Sequence, residues 1–174
     1  MSISVTVCVA TTVAAVKAAV KIPVVANGDI TTPERAQAVL RATGADAIMI
    51  GRAAQGRPWI FREINHFLAT GTHLAPPLIS EVKGLLVEHL HDHYSLYGEF
   101  IGVRSARKHI GWYVRELPGG EAFRAQMNTL DTSTAQVAAV EDFLDDLNEH
   151  TDRIPAPGWT AGIRGRDMTM ETAP

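Results

Sequence analysis

Short apolar runs alternate with amphipathic segments over the first fifty residues. The runs at 22–26 (IPVVA) and 45–50 (ADAIMI) predict two strands, because uninterrupted apolar runs with β-branched residues are typical of strands buried on both faces. Between them the pattern predicts a helix over 33–43, preceded by a threonine cap and followed by a glycine. This alternation with short loops indicates a parallel α/β arrangement.

The first twenty residues carry two different patterns. Residues 12–20 place Val13, Val16 and Val20 at helical spacing and predict a helix. Residues 3–10 (ISVTVCVA) are rich in β-branched residues and predict a strand, or a start that is not native.

From residue 58 onward the pattern is helical, with no convincing strand. Prolines and glycines divide this region into predicted helices at 58–69, 80–97, 102–116, 120–129 and 133–148. The chain is therefore expected to be α/β at first and all-α afterwards, ending in a small helical bundle. Two strands cannot close a barrel, which needs eight strands in about 250 residues.

Composition and charge narrow the possible functions. The net charge of −3 provides no overall basic field, so any contact with nucleic acid needs a local basic patch. Cys8 is the only cysteine, which excludes an internal disulfide and fits a reducing cytoplasm. No apolar run is long enough to cross a bilayer, and no basic segment of a signal peptide is present. We therefore expect a soluble, cytoplasmic protein without membrane contacts.

Glycine-containing loops follow both predicted strands. Asn27, Gly28 and Asp29 come after the first strand, and Gly51 and Arg52 come after the second. Carboxyl ends of parallel strands lie at one edge of a sheet, where glycines let backbone N–H groups approach an anion and arginine can contact phosphate. The alternative is that these residues only form tight turns and helix caps. Taken together, the two loops favour a phosphate site.

The motifs resemble those of one enzyme family. Residues 22–64 (IPVVANGDITTPERAQAVLRATGADAIMIGRAAQGRPWIFREI) resemble the end of the barrel in tRNA-dihydrouridine synthases, in particular the bacterial DusB-like branch. Residues 97–114 (YGEFIGVRSARKHIGWYV) resemble the helical domain of the same branch. The resemblance covers residues 12 to about 147, and the combination of these motifs at this spacing is specific.

The resemblance implies a fold, an activity and cofactors. Residues 1–70 would be the last two β/α units of an incomplete TIM barrel, and residues 81–150 a helical tRNA-binding domain. Independently of the resemblance, the prolines between them predict a linker (71–80), and the Pro and Gly breaks and mixed polar residues of 151–174 predict a disordered tail. Members of the family reduce uridine in tRNA to 5,6-dihydrouridine with FMN, which NADPH recharges. The resemblance places the flavin phosphate at Asn27, Gly28, Asp29, Gly51 and Arg52.

This sequence lacks the half that carries the catalytic residues in members of the family. The opening strands that bind the flavin ring are absent, as is the cysteine that donates a proton to uracil. Cys8 does not match that cysteine motif, and residues 1–11 do not resemble the expected strand. No catalytic residue is therefore assigned. The chain is expected to be a C-terminal fragment that is inactive alone. Its exposed barrel edge is expected to make it poorly soluble or to let it self-associate as a dimer, unless a partner supplies the missing strands.

A basic helix provides a candidate RNA surface. Arg104, Arg107 and Lys108 share a helical face, and Trp112 continues it. Such a face can hold phosphates and stack a base, and the resemblance carries tRNA contacts over to these three cations and His109. The alternative is an amphipathic helix whose basic residues are only solvated. The last predicted helix is acidic and is expected to face away from RNA.

Other aromatic and histidine residues are assigned structural roles. His89, His91 and His93 form a cluster in which His89 and His93 could share a helical face like zinc ligands. No third ligand is evident, so we expect surface histidines and no metal. Trp59 and Phe61 are expected to pack the helical part on the barrel. Arg57 is left open between a functional residue and a surface charge.

Three hypotheses follow from these patterns. The chain is a tRNA-dihydrouridine synthase fragment, a non-catalytic helical module that binds tRNA, or another phosphate-binding TIM-barrel flavoenzyme. The third is disfavoured, because the RSARKHIGWY helix has no place in it.

Overall fold

The structure, a computed structural model, describes residues 4–155, with side chains from residue 10 onward. In chain order the elements are α1 (Ser4–Ala19), β1 (Val25–Asn27), α2 (Pro33–Thr43), β2 (Ala47–Met49), a 3-10 turn (Arg52–Ala54), α3 (Ile60–Thr70), α4 (Ile79–Val114), α5 (Gly120–Met127) and α6 (Ser133–Asn148). The protein is rich in helix and contains a small, open, two-stranded sheet.

The strand predicted at residues 3–10 is wrong, because these residues belong to helix α1 from Ser4 onward. The helix predicted at 12–20 is its second half. A strand needs a neighbour for its backbone hydrogen bonds, whereas a helix satisfies them locally and extends at low cost once nucleated. Helix α1 packs against α2, and Lys17 at its end forms an ion pair with Asp46 at 2.6 Å.

The β1–α2–β2 unit forms as the sequence predicts, with shorter strands. The strands pair in parallel, with Ala26 opposite Ile48. The Thr32 hydroxyl accepts a hydrogen bond from the first turn of α2, and Pro33 occupies its first helical position. Gly44 ends the helix with a φ of 65°, a conformation that favours glycine.

Between residues 10 and 155, side chains cover only one face of the sheet. Ala26 and Ile48 lie on the side of α2 and α3, next to a hydrophobic cluster of Ile30, Ala36, Ile60 and Ile64. On the other face, Val25 is 54% exposed and Met49 is 52% exposed. The expectation of strands buried on both faces is wrong here, because side chains alternate and one helical layer covers only every second one. In the described residues each strand pairs only with the other.

Helix α4 is a hairpin of two helical arms. Gly98, with φ 70° and ψ 173°, breaks it into arms at 79–97 and 99–114, close to the two helices predicted there. The arms lie side by side, since His93 Nε2 and Ser105 Oγ are 2.7 Å apart. Glycine permits this turn because other residues rarely adopt a positive φ.

The hairpin packs on α5 and α6 to form the larger hydrophobic core. Its fully buried side chains come from all three helices and include Leu86, Leu90, Ile110, Met127, Val140 and Leu144. Gln136 is buried among them and satisfied, because its side chain accepts a hydrogen bond from the Tyr94 hydroxyl and donates one to the Val103 carbonyl. The proposed boundaries at 70 and 81 remain predictions.

Part of the expected disordered tail is ordered. The Ile79 N–H donates to the Asp152 carbonyl at 2.9 Å, and the Ile154 N–H donates to the Pro77 carbonyl at 3.0 Å. Residues 151–155 thus pair with the start of α4, because this pairing satisfies their backbone groups. The rest of that expectation, 156–174, lies outside the described residues.

Candidate functional site

The loops after β1 and β2 meet around one cavity of about 810 Å³. Its wall contains all five residues assigned to phosphate binding: Asn27, Gly28, Asp29, Gly51 and Arg52. They come together because parallel strands paired in register end at the same edge of the sheet. The volume lies within the range of small-molecule sites. Their role in phosphate binding remains a prediction.

The cavity is lined by a positively charged guanidinium and by backbone that no side chain covers. Arg52 Nη2 donates to Asp29 Oδ1 at 2.5 Å, and both side chains are largely exposed, at 85% and 80%. A Cβ built on Gly28 or Gly51 would meet no atom within 4 Å, so the space beside both glycines is free. A phosphate could approach this backbone and the guanidinium together.

Sequence reasoning missed several lining residues, among them two arginines and a glutamine. Arg35 lies in the first turn of α2, Gln55 follows the 3-10 turn, and Arg115 follows the second arm of α4. Arg35 and Gln55 could have been found from their nearness to the two loops. No local signal connects Arg115 with this cavity, because it is distant in sequence and arrives through the packing of the hairpin.

The loop after the 3-10 turn is fastened to the hairpin. Gly56 has a φ of 74°, and an added Cβ would overlap the Trp112 carbonyl oxygen. Trp59 packs against Tyr113, with ring centroids 6.2 Å apart, as expected for an anchor. Phe61 is 47% exposed, so the same expectation for it is wrong: it projects from α3 away from the core.

Arg57 has a structural role. Its guanidinium donates to Glu63 Oε2 at 2.5 Å and to the Thr31 carbonyl at 3.3 Å. It therefore connects the loop after β2 with the loop after β1 and with α3, and holds the rim of the cavity together.

The predicted RNA-binding residues do not form one surface. Arg104 and Lys108 are exposed: the Arg104 guanidinium lies 3.7 Å from the centre of the Phe100 ring, and Lys108 Nζ lies 4.9 Å from that of the Trp112 ring. Arg107 turns to the α5–α6 connection and donates to the Leu130 carbonyl at 3.0 Å. Two exposed cations and a half-buried tryptophan therefore remain on the outer side. Their role toward RNA stays a prediction.

The histidines pack between the hairpin arms. The His109 ring centre lies 5.0 Å from those of both His89 and His93, and His93 is buried. The expectation of surface histidines is therefore wrong for His93, while His91 is exposed. The described part of the chain contains no group of three His, Cys, Asp or Glu side chains arranged to hold a metal.

Burial and mutual repulsion disfavour protonation of this cluster. Burial, and then the neighbouring His89, lower the pKa of His93 below its ordinary value of 6.5. The pKa of His109 is lowered by burial first, and then by His89, His93 and Lys108. Near neutral pH the two rings are therefore held in their uncharged form.

Stability should consequently fall as the pH drops below about 6.5. Below that pH, His93 and His109 bind protons in the unfolded chain but stay uncharged in the folded protein. Their contribution to the free energy of unfolding is therefore complete above that pH and is lost as the pH falls below it. We expect the melting temperature to decrease between about pH 7 and about pH 5.5, and His109→Gln to reduce this decrease. His91→Gln is the matched control. An identical pH profile for all three proteins would contradict the prediction.

No helix in the described residues has the length and apolar character needed to cross a bilayer.

Comparison with known proteins shows one consistent similarity. The model of the family described as dihydrouridine synthase (Dus) matches residues 9–148. The tRNA-dihydrouridine synthase B of Pseudomonas putida is 52% identical over 150 residues, which cover 86% of this chain and 44% of that protein. Its counterpart in Pseudomonas aeruginosa is 58% identical over 132 residues, covering 76% of this chain and 40% of that protein. The tRNA-dihydrouridine synthase B of Vibrio cholerae is 53% identical over 133 residues, covering 76% of this chain and 41% of that protein. The chain thus spans well under half the length of these relatives.

Proposed function

Because the chain belongs to the dihydrouridine synthase family, we propose that it supplies the flavin-phosphate loops and tRNA-binding helices of an enzyme that reduces tRNA uridine to 5,6-dihydrouridine. The observation that carries the proposal is the shared cavity of the loops after β1 and β2. In the proposed architecture, residues 1–70 are the last two β/α units of a TIM barrel and residues 81–150 are a helical domain.

The residues around the cavity fit the phosphate of FMN. Arg52 provides positive charge, and the space beside Gly28 and Gly51 admits a ligand. Asp29 would orient the Arg52 guanidinium toward the cavity, and Asn27 adds a polar side chain at the end of β1. When FMN is bound, its flavin ring supplies the hydride. The residues named above would hold and orient FMN through its phosphate. NADPH is the proposed reductant, and the cytoplasm the proposed location.

The uncovered face of the sheet supports the incomplete barrel. Val25 and Met49 project from the side that does not meet α2, and Ile22, just before β1, is also exposed. In a complete barrel, side chains from the remaining strands would cover this face. We therefore propose that the unpaired edges and this face bind either a second copy or the missing strands.

The proposed tRNA contact rests on Arg104 and Lys108, because their charges are exposed on one arm of α4. Arg107 and His109 would then support this arm from behind. Arg107 holds the α5–α6 connection, and His109 packs against Trp112 at 5.0 Å between ring centres.

Removing the two exposed cations should weaken tRNA binding and its salt dependence. The logarithm of the affinity decreases with the logarithm of the salt concentration. In Arg104→Ala/Lys108→Ala, we expect this decrease to become less steep, by about 1 for each phosphate that the variant no longer neutralises. Fluorescence anisotropy of labelled tRNA over a range of salt concentrations measures both quantities. Arg41→Ala is the control, because Arg41 is an exposed cation on α2. An equal loss of affinity in the control and the double variant would count against an RNA surface on α4.

A non-catalytic tRNA-binding module remains the second candidate. It is favoured by the exposed sheet face, which leaves the proposed flavin site open on one side in the described residues. The family match sets aside the third hypothesis, an unrelated flavoenzyme barrel.

A further inference from the structure

A second cavity, of about 520 Å³, lies between the loop that follows β2 and the two arms of α4. Gly51 and Gln55 line both cavities, so the proposed phosphate loop separates them. The function proposed above assigns no ligand to this second cavity, although it adjoins the basic arm of α4.

Three flat rings line part of this cavity. The His109 and Trp112 ring centres are 5.0 Å apart at an interplanar angle of 84°, and those of His89 and His109 are 5.0 Å apart at 76°, so each ring presents its own face. All three side chains are half-buried. Stacking against such rings is how proteins hold unpaired bases. Lys108, whose Nζ lies 4.9 Å from the centre of the Trp112 ring, adds an exposed cation next to the cavity.

Two carboxylates line the same cavity. Glu88 and Asp92 are one turn apart on the first arm of α4, and both line the cavity and are exposed. Neither forms an ion pair or side-chain hydrogen bond within the part of the chain that the structure describes. The cavity thus combines a stacking wall with hydrogen-bond acceptors that lack donors.

We infer that this cavity binds an unpaired guanine of the RNA. A carboxylate only accepts hydrogen bonds, and guanine presents two adjacent donors, N1–H and the N2 amino group, that can pair with its two oxygens. Uracil presents two carbonyl oxygens on either side of one N–H, and the carboxylates would repel these oxygens. The proposed guanine cavity is therefore a different site from the one that would hold the reacting uridine. Adenine offers one amino group and no neighbouring N–H on that edge.

The inference rests on the proposed function, since it needs RNA held by the basic arm of α4. The adenosine of NADPH is another source of a purine. Its adenine edge matches the carboxylates less well, because it has one amino group and no neighbouring N–H. Recognition of guanine rather than adenine therefore separates the two sources.

The test uses the whole chain and four labelled eight-nucleotide RNAs. They are oligoadenylates whose central base is guanine, inosine, adenine or uracil, and fluorescence anisotropy measures their affinities. We expect guanine to bind about tenfold more tightly than adenine or uracil, which is within the discrimination of one bidentate pair. Inosine, which lacks the N2 amino group, should lose most of this preference. Added NADPH should not displace the guanine oligonucleotide.

Matched variants assign the preference to the two carboxylates. Glu88→Gln/Asp92→Asn should bring the guanine and adenine RNAs to similar affinities. Glu141→Gln/Asp142→Asn, on the exposed side of α6, should leave the preference unchanged. Equal binding of all four RNAs, still weakened by Arg104→Ala/Lys108→Ala, would overturn the guanine site while leaving RNA binding intact. Displacement by NADPH would also overturn it. No binding of tRNA or of any oligonucleotide would overturn the proposed RNA function, and this inference with it.

Discussion

Replacing Gly56 by alanine should destabilise the protein by about 3 kcal/mol or more. The new Cβ would overlap the Trp112 carbonyl oxygen and lie 2.7 Å from the Tyr113 nitrogen, which are backbone atoms of a packed helix. The loop or the hairpin would have to move, and the contact between Trp59 and Tyr113 would open. Urea unfolding followed by circular dichroism measures the decrease in the free energy of unfolding.

Gly71→Ala is the matched control for this substitution. Gly71 also has a φ of 74°, but a Cβ there would meet nothing within 4 Å. This substitution should lower the free energy of unfolding by only about 1 kcal/mol or less. Alanine is disfavoured at a positive φ, but it also restricts the unfolded chain, and the second effect partly offsets the first. Equal decreases for the two variants would show that the loop after β2 is not clamped on α4, which would contradict the described site.

The second large effect expected is the absence of catalysis by the chain alone. With FMN, NADPH and tRNA that lacks dihydrouridine, we expect no product above the level without protein. The described residues form a sheet of two strands, whereas the proposed complete barrel would have eight, so the described part of the chain does not surround a flavin ring. Mass spectrometry of nucleosides from digested tRNA measures the product, and a full-length relative serves as the positive control.

Two outcomes would contradict this expectation in different ways. Product that disappears in Cys8→Ser would show that Cys8, at a position in α1 that matches no cysteine motif of the family, is needed for the reaction. Product that persists in Cys8→Ser would show that the reaction proceeds without that thiol. Either result would mean that this chain, alone or self-associated, forms a working site.

Local signals predicted the part of the fold that holds the candidate phosphate site. The hydroxyl of Thr32, the fixed φ of Pro33 and the positive φ of Gly44 define both ends of α2 through neighbouring atoms. Because α2 is so defined and joins two parallel strands, Asn27 at the end of β1 and Gly51 after β2 must lie at one edge of the sheet. Sequence reasoning could therefore bring the two loops together.

Long-range packing explains what could not be predicted. Residues 3–10 have strand propensity, but α1 packs on α2 and they have no described strand to join. Nothing near His93 shows that the second arm of α4 will bury it. Arg107 has the spacing of an RNA ligand, yet Leu130, which is distant in sequence, accepts its hydrogen bond. Helical periodicity identifies a face but does not say what covers it.

The central claim is that the loops after β1 and β2 bind the phosphate of FMN. The most direct test is to titrate the purified chain with FMN and with riboflavin, which has the same ring system but no phosphate, and to follow flavin fluorescence. We expect FMN to bind about tenfold or more tightly than riboflavin, since hydrogen bonds to a charged group contribute about 1.5–3 kcal/mol. Inorganic phosphate should compete with FMN, and Arg52→Ala should remove the difference while Arg41→Ala preserves it. Equal affinities for FMN and riboflavin, or an unchanged preference in Arg52→Ala, would contradict the claim.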